Sequence, residues 1–511
     1  MKKNRRCLRP GSIGSQGIGG KPSDDSETAS QMKGLMHTVG RNSIVTWLAV
    51  LGIVALALQF RLIPLSRGLG EDELFTAVNF VEVSSLRATM SDCGGFNNHI
   101  GYSLAARMAE AVFGRSEGVL RFPALLLGLA SIACMFLLCR PLVGTGFALL
   151  ASFLLALSPP HITSSVQARG YSGMIFFSVL SSYLFFRLLE RESGNAALLF
   201  VFANVAGIYM HLYSVFVVVT QVVTAMYLVQ RRRATSRLVI GAESKRLLLV
   251  CFAAIVVGSL MVYSPAFPSF ARALVGRGRS AFSVDFPWLV LKYLSGTNNP
   301  IVTVAVALAA VAGCVDLHRR SPETMNYVLM LLIGPLLLMW FMRPFDLYPR
   351  FFVYWLPFYM LLVVGGIRLA WEAGTRSTLR RSTVRATATV GILAIALNWT
   401  LTWQTWVPDE GYREISRAAQ FGADPKAAFC AIGGSRTIWK YYINKPIVTP
   451  LSMADLQQIA SAHPEVRCLY YKAGWQDAAQ TEIADFLFQH ARWSEYKGHT
   501  WFVYRIDEPS R

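Results

Sequence analysis

The sequence predicts a polytopic α-helical membrane protein, with interfacial helices in its first outer loop and an extracytoplasmic α/β domain at its C-terminus. Three observations predict it. Of the 511 residues, 53% are hydrophobic and only 15% charged, with a mean hydropathy of +0.40, a balance foreign to soluble domains. Apolar runs near the length of a membrane crossing recur about eleven times. Basic connecting loops alternate with loops that hold the acids, aromatics and unusual motifs.

The elements follow in order. Residues 1–42 are rich in Gly, Ser and Lys/Arg and read as a disordered, basic cytoplasmic tail. Arg5-Arg6 stands too far from the first apolar run, at 44–63, to form the n-region of a cleaved signal. The first outer loop, 64–118, opens with Gly70-Glu71-Asp72-Glu73-Leu74-Phe75-Thr76. Its stretches 74–90 and 102–113 carry apolar residues at helical spacing and read as two interfacial helices. Further spans are expected at 119–139, 145–158, 172–189, 196–210, 213–230, 247–264, 300–316, 324–342, 351–370 and 386–406. The run 196–230 is split at Met210-His211-Leu212-Tyr213, because a single helix of that length would reach ~52 Å, too long for one crossing.

Charge sets the expected sidedness. The tail, Arg140, Arg187 and Arg191, the stretch 231–246, Arg319-Arg320 and the arginines at 376–385 form one set of loops. These are short and basic, hence cytoplasmic by the positive-inside rule. The net charge of +19 belongs to this part, since residues 407–511 hold 12 Lys+Arg against 12 Asp+Glu. That argues against nucleic acid as a partner, which would need a basic patch on a soluble domain. It fits topology-setting charge beside an anionic inner leaflet, with the N-terminus cytoplasmic; a bacterial inner membrane is the expected location.

The membrane part, 43–406, gives way at 407–511 to a small α/β domain of a size that folds independently. Strands are expected at 427–432 and 466–471, and helices at 412–421, 453–462 and 480–491. A hairpin is expected at 493–506 around Lys497-Gly498. The eight cysteines lack metal-ligand spacing. Cys134, Cys139, Cys251 and Cys314 are small apolar fillers of spans, whereas Cys430 and Cys468 stand one on each predicted strand. If those strands neighbour each other, a disulfide can form in an oxidising compartment.

Several polar residues invite a chemical reading. Asp72 and Glu73 are either an acidic first turn matched to the helix dipole or a general base whose pKa is tuned by apolar surroundings. His99, in Asn97-Asn98-His99-Ile100-Gly101, reads as a turn histidine or a site residue. Arg169, in Gln167-Ala168-Arg169-Gly170-Tyr171-Ser172, is the sole Lys or Arg of its loop. It either snorkels to headgroups or grips a phosphate. Arg343 and Arg350 flank one short outer loop, on the side where flanking cations are not expected. Lys292 is a weaker candidate of the same kind, and His211 reads as a buried, hydrogen-bonded histidine.

The order of these motifs is familiar. After the basic tail and one span come an Asp-Glu loop and a His-containing turn, then Phe113-Gly114-Arg115-Ser116-Glu117-Gly118-Val119-Leu120-Arg121-Phe122-Pro123. Ser158-Pro159, Arg169-Gly170-Tyr171-Ser172, Pro349-Arg350-Phe351-Phe352 and an outer α/β domain follow. The chain resembles the GT-C superfamily of polyprenyl-phosphate-sugar-dependent glycosyltransferases, in the branch of the protein O-mannosyltransferases and lipid A aminoarabinose transferases. The resemblance implies a catalytic carboxylate at Asp72 with Glu73 beside it, and donor contacts at Arg169, Tyr171 and Arg350. The chain departs from the pattern at Ile100-Gly101, where Pro-Pro often follows the histidine, and at Arg350-Phe351, where Arg-Tyr is common.

The expected activity is transfer of a sugar from a polyprenyl-phosphate donor to an outer-face hydroxyl on a glycan, lipid or protein. The partners are that donor, that acceptor and membrane lipids. No cofactor is implied, and ligand spacing gives no case for a metal beside Asp72. A transporter or flippase, and a non-catalytic envelope-assembly protein, are the rival classes. A transporter would place ionisable groups near the bilayer midplane, whereas here the unusual residues gather on one face.

Overall fold

The structure is a computed structural model that describes residues 25–191, 193–230, 242–275, 283–342, 347–373, 378–407, 409–433, 439–471 and 478–505. The first helix, α1 (Asp25–Leu65), starts before the apolar run, so residues 25–42, expected to be disordered, are helical; 1–24 lie outside the described residues. Met1–Ala49 form a unit of their own, and the architecture below is that of Val50–Arg511.

The first long loop, 64–118, holds α2 (Glu71–Thr76), α3 (Leu86–Ser91) and α4 (Ile100–Phe113). The expected helix over 74–90 is therefore two pieces. A π-helical turn, Ala77–Val81, ends the first, and Ser85 caps the second by accepting from the Ala88 amide. Arg107 of α4 stabilises the break by donating to the Val81 and Val83 carbonyls at 2.8 and 2.7 Å.

The bundle continues with α5 (Glu117–Val143), α6 (Thr145–Leu157), α7 (Pro159–Val166), α8 (Tyr171–Glu190), α9 (Gly194–Met210), α10 (Val215–Gln230) and α11 (Ala242–Tyr263). Then come α12 (Phe267–Leu274), α13 (Phe286–Ser295), α14 (Pro300–Arg320), α15 (Pro322–Met342), α16 (Leu356–Ala373) and α17 (Thr378–Trp406). The expected spans coincide with helices, except that 213–230 and 351–370 begin in the 3-10 turns Leu212–Ser214 and Pro349–Trp355. Eight segments of the described chain are long and apolar enough to cross a membrane, nine if α6 and α7 count as one bent span. α9 is shorter. α17 is not among the eight. The extended backbone at His211 (φ −159°, ψ 124°) separates α9 from α10, where the split was expected.

The 60° bend between α6 and α7 has a chemical origin. Pro159 and Pro160 have no N–H, so the carbonyls of Leu155 and Ala156 lose their helical donors. The Ser158 amide donates to the Leu155 carbonyl at 3.3 Å. Arg61 of α1, fully buried, donates to the Ala156 carbonyl at 3.2 Å and to His161 Nδ1 at 2.6 Å. A buried arginine near the end of a span is thus explained by the acceptors that the bend exposes.

The C-terminal part adds α18 (Tyr412–Gln420), β1 (Ala428–Ile432), β2 (Ile447–Val448), α19 (Met453–Ala462), β3 (Val466–Tyr471), α20 (Ala478–His490), β4 (Arg492–Tyr496) and β5 (His499–Tyr504). The sheet order is β2-β1-β3-β5-β4. β1 runs parallel to β2 and β3, and the β4–β5 hairpin is antiparallel. One face packs on α19 and α20 through Ile432, Leu456, Ile483, Leu487 and Phe502. The other face, with Phe429, Ala431, Leu469 and α18, joins a core that also contains Leu69, Leu74, Tyr102 and Leu120. The α/β domain therefore does not close its own core: the first long loop completes it.

Cys430 and Cys468 are register partners on β1 and β3, with Cα atoms 4.4 Å apart, and form a disulfide. Closing a loop of this length constrains the unfolded chain by roughly 4 kcal/mol. Reducing the unfolded protein is expected to raise its free-thiol count by two. A count unchanged by reduction would show that the pair is not bonded.

Candidate active site

The site begins at the end of α1. Its last carbonyls have no helical donors, and Arg121 supplies them. Its Nη1 donates to the carbonyls of Pro64, Leu65 and Arg67 at 3.3, 3.3 and 2.7 Å, and its Nη2 to that of Gly68 at 3.0 Å. The same guanidinium forms a fork with Glu73, Nε to Oε1 at 2.7 Å and Nη2 to Oε2 at 2.6 Å. Glu73 also accepts from the Gly70 amide at 2.9 Å, closing the first turn of α2. The Ala168 amide, next to Arg169, is its fourth donor at 2.7 Å. Both side chains are buried. Glu73 is thus fully engaged in holding three segments together.

Asp72, one residue earlier, points elsewhere. Its side chain is 35% exposed and pairs with Arg350 at 2.9 Å. Arg350 sits in the 3-10 turn Pro349–Trp355, ahead of α16, and lies over the Tyr348 ring at 4.8 Å. A chain of bonds then runs from Asp72 into the protein. Its carbonyl accepts from Thr76 Oγ1 at 2.9 Å. That hydroxyl accepts from Arg169 Nη1 at 3.2 Å, and Arg169 Nη2 donates to Asn97 Oδ1 at 2.5 Å. Arg169 is only 3% exposed, so it does not snorkel to headgroups. Among the described residues no carboxylate pairs with it.

Three aromatic side chains close the inner wall. His99 and His211 lie 4.5 Å apart between ring centroids, and Tyr171 lies 5.2 Å from each. His99 Nδ1 accepts from the Gly170 amide at 2.8 Å. Burial, with the positive Arg169 nearby, then His211 and Arg350, holds the His99 imidazole well below its ordinary pKa. It is therefore neutral at neutral pH. Gly170 fits because a Cβ there would stand 2.0 Å from the Met210 carbonyl oxygen. The break at His211 and the Arg169 loop thus meet backbone to backbone.

Four buried polar atoms of this cluster have no hydrogen-bond partner among the described residues: Arg169 Nε, Arg350 Nε, His211 Nε2 and the Tyr171 hydroxyl. Buried donors without partners are costly, and here two of them are cationic. The cluster is suited to a group carrying negative charge and several acceptor oxygens. The C-terminal domain reaches the same place. Glu410 accepts from the Glu71 amide at 2.7 Å. Burial raises the pKa of Glu410, and burial with the neighbouring Asp72 raises that of Glu71.

Of the residues singled out in the sequence, Asp72, Glu73, His99, Arg169, Tyr171 and Arg350 converge. Lys292 lies half-buried on α13 and makes no ion pair with any described residue. Arg343 lies outside the described residues. His211, read as a buried core histidine, is buried and accepts from the Tyr213 amide at 3.2 Å, yet it also lines the site. Arg121, Thr76, Asn97, Tyr348 and Glu410 were not anticipated. Arg121 left a signal: a cation flanked by apolar residues at the edge of a span.

Comparison with known proteins bears on the fold. Residues 100–240 match the sequence model of a family described as dolichyl-phosphate-mannose-protein mannosyltransferase. No curated protein matches in sequence. ArnT from Cupriavidus metallidurans in its apo state superposes with a TM-score of 0.59 at 13% identity, over 90% of this chain and 98% of that one. Its complex with undecaprenyl phosphate gives 0.56 at 13% identity, over 90% and 99%. The oligosaccharyltransferase AglB from Archaeoglobus fulgidus, with an inhibitory peptide and a dolichol-phosphate, gives 0.55 at 12% identity, over 92% and 75%. The fold is the GT-C fold that the order of motifs implied.

Removing one partner of the Glu73–Arg121 pair leaves a buried charge uncompensated, which typically costs about 3–5 kcal/mol. Glu73→Gln is therefore expected to lower the thermal unfolding midpoint of the purified protein well below that of Glu71→Gln. Equal midpoints for the two variants would contradict a holding role for Glu73.

Proposed function

We propose that this GT-C-fold chain is a membrane glycosyltransferase that moves a sugar from a polyprenyl-phosphate donor to a hydroxyl acceptor on the outer face. The observation that carries the reading is the pairing of Asp72 with Arg350, beside a second cation, Arg169, that is buried with no carboxylate partner among the described residues. A reaction that ends on a lipid phosphate needs both kinds of group. One must take a proton, and fixed cations must receive the negative charge that develops.

The steps follow from these positions. The acceptor oxygen attacks the anomeric carbon as Asp72 takes its proton. The bond from that carbon to the phosphate oxygen breaks, and polyprenyl phosphate leaves with the electron pair. Attack opposite the leaving group inverts the anomeric centre. Arg350 spans both tasks: a phosphate entering the pocket competes with Asp72 for its guanidinium, which leaves the carboxylate free to act as base. Arg169, with the Tyr171 hydroxyl, receives the phosphate from the inner wall. The neutral His99 and the Glu73–Arg121 pair hold the two loops in register. The family match over 100–240 and the lipid phosphates named in the ArnT and AglB complexes support the donor class.

The loop charges support an outer position for this face and for the α/β domain. A cysteine replacing the exposed Ser461 should then react with an impermeant thiol reagent in intact cells. Labelling only after lysis would reverse the topology.

Transfer from labelled polyprenyl-phosphate sugar, normalised to protein level, tests the chemistry. General-base catalysis is worth about 10²–10⁴-fold, so Asp72→Asn should be nearly inactive while remaining folded. Arg350→Lys keeps the charge but loses the planar fork, and should lose roughly tenfold or more. Glu71→Gln should stay near wild type. An active Asp72→Asn beside an inactive Glu71→Gln would move the base to Glu71.

A further inference from the structure

The bundle has a second concave site at its opposite end. α8 begins at Tyr171 in the candidate active site and ends at Glu190, about 30 Å away at 1.5 Å per residue. There the last turns of α5, α8 and α14 and the first turn of α15 enclose a cavity of about 930 Å³. Its lining holds five arginines, Arg140, Arg187, Arg191, Arg319 and Arg320, against two glutamates, Glu190 and Glu323. Arg320 is committed to Asp316 and Glu372, and Arg187 donates to the Tyr183 hydroxyl at 3.0 Å. Arg140, Arg191 and Arg319 form no ion pair with any described residue. The rest of the lining combines apolar side chains, Leu138, Leu142 and Phe186 among them, with Tyr183, Ser321 and Thr324.

Positive-inside charge accounts for arginines at this end of the spans, but not for their convergence on a cavity. A pocket lined by arginines without ion pairs among the described residues, together with apolar side chains, matches one chemistry: acyl chains joined to a phosphate. We infer that this cavity binds the headgroup and upper acyl chains of an anionic phospholipid. Arg140, Arg191 and Arg319 meet the phosphate. The Ser321 and Thr324 hydroxyls, 2.7 Å apart at the cavity wall, stand beside them as neutral partners. The site is independent of the proposed sugar transfer, which takes place at the other end of the bundle.

The test uses the purified full-length protein with phosphatidylglycerol, phosphatidylcholine or inorganic phosphate as probe, read by native mass spectrometry. Wild type should bind phosphatidylglycerol saturably and in preference to phosphatidylcholine. Each arginine near an anionic lipid is worth about fivefold, so the double variant Arg140→Gln with Arg319→Gln should bind about 25-fold more weakly. A photoreactive phosphatidylglycerol on unmodified protein should crosslink within 137–142, 183–191 or 319–324, a readout that does not depend on the variant folding. Equal binding of the two lipids, an unaffected double variant, or crosslinks confined to other segments would overturn the inference. Full competition by inorganic phosphate would replace the lipid with a soluble anion and overturn it as well.

Discussion

The buried ion pair between Glu73 and Arg121 is the constraint on which the site's geometry depends. One carboxylate takes four donors, from the start of α2, from α5 and from the loop between α7 and α8. One guanidinium shares that carboxylate and also satisfies the carbonyls where α1 ends. Such a pair is not a cheap source of stability, because both charges are desolvated. What it supplies is position. With Glu73 held on three sides, its neighbour Asp72 is left at the surface facing Arg350, and Arg169 is carried inward on the backbone that Glu73 grips.

The α/β domain braces the same loop from outside. Glu117, at the start of α5, accepts from Arg413 at 2.8 Å and from the Tyr442 hydroxyl at 2.7 Å. That hydroxyl in turn accepts from the Leu69 amide at 2.7 Å. Arg67 donates to the Val407 carbonyl and Arg115 to the Tyr441 carbonyl. Together with the shared apolar core, these contacts make the first long loop a layer between bundle and sheet. The irregular backbone of the molecule gathers beneath it, at the bend before Pro159 and the break at His211. Such backbone is tolerated in a membrane protein only where protein buries it or a cavity receives it.

Much of this was legible in the sequence. Apolar periodicity placed the helices, and the length limit on a span placed the break at His211. Alternating apolar residues and the Lys497-Gly498 turn placed the sheet's hairpin. Asp72, His99, Arg169, Tyr171 and Arg350 stood out because polar residues between spans, on the side poor in cations, have few structural reasons to be there. The failures have physical causes. The helix over 74–90 was read as one because apolar residues resume at helical spacing beyond Glu82-Val83-Ser84-Ser85, whereas Arg107, remote in sequence, takes the Val81 and Val83 carbonyls. The α/β domain was judged by its length, which says nothing about which of its faces lacks a cover. Glu73 was read as a partner in chemistry because it adjoins Asp72, while its actual neighbours are Arg121 and Ala168.

The sequence by itself determined the class of the protein, the helices and the set of polar residues available on one face. Those follow from local rules: the length of an apolar run, the spacing of side chains and the density of charge in loops. Only the tertiary structure decided which of two adjacent carboxylates is buried and which is partly exposed. It also decided that Asp72 and Arg350, distant in the chain, stand 2.9 Å apart. No local rule reaches across that separation. It takes a bundle, with one buried ion pair locking its first loop, to bring the two together.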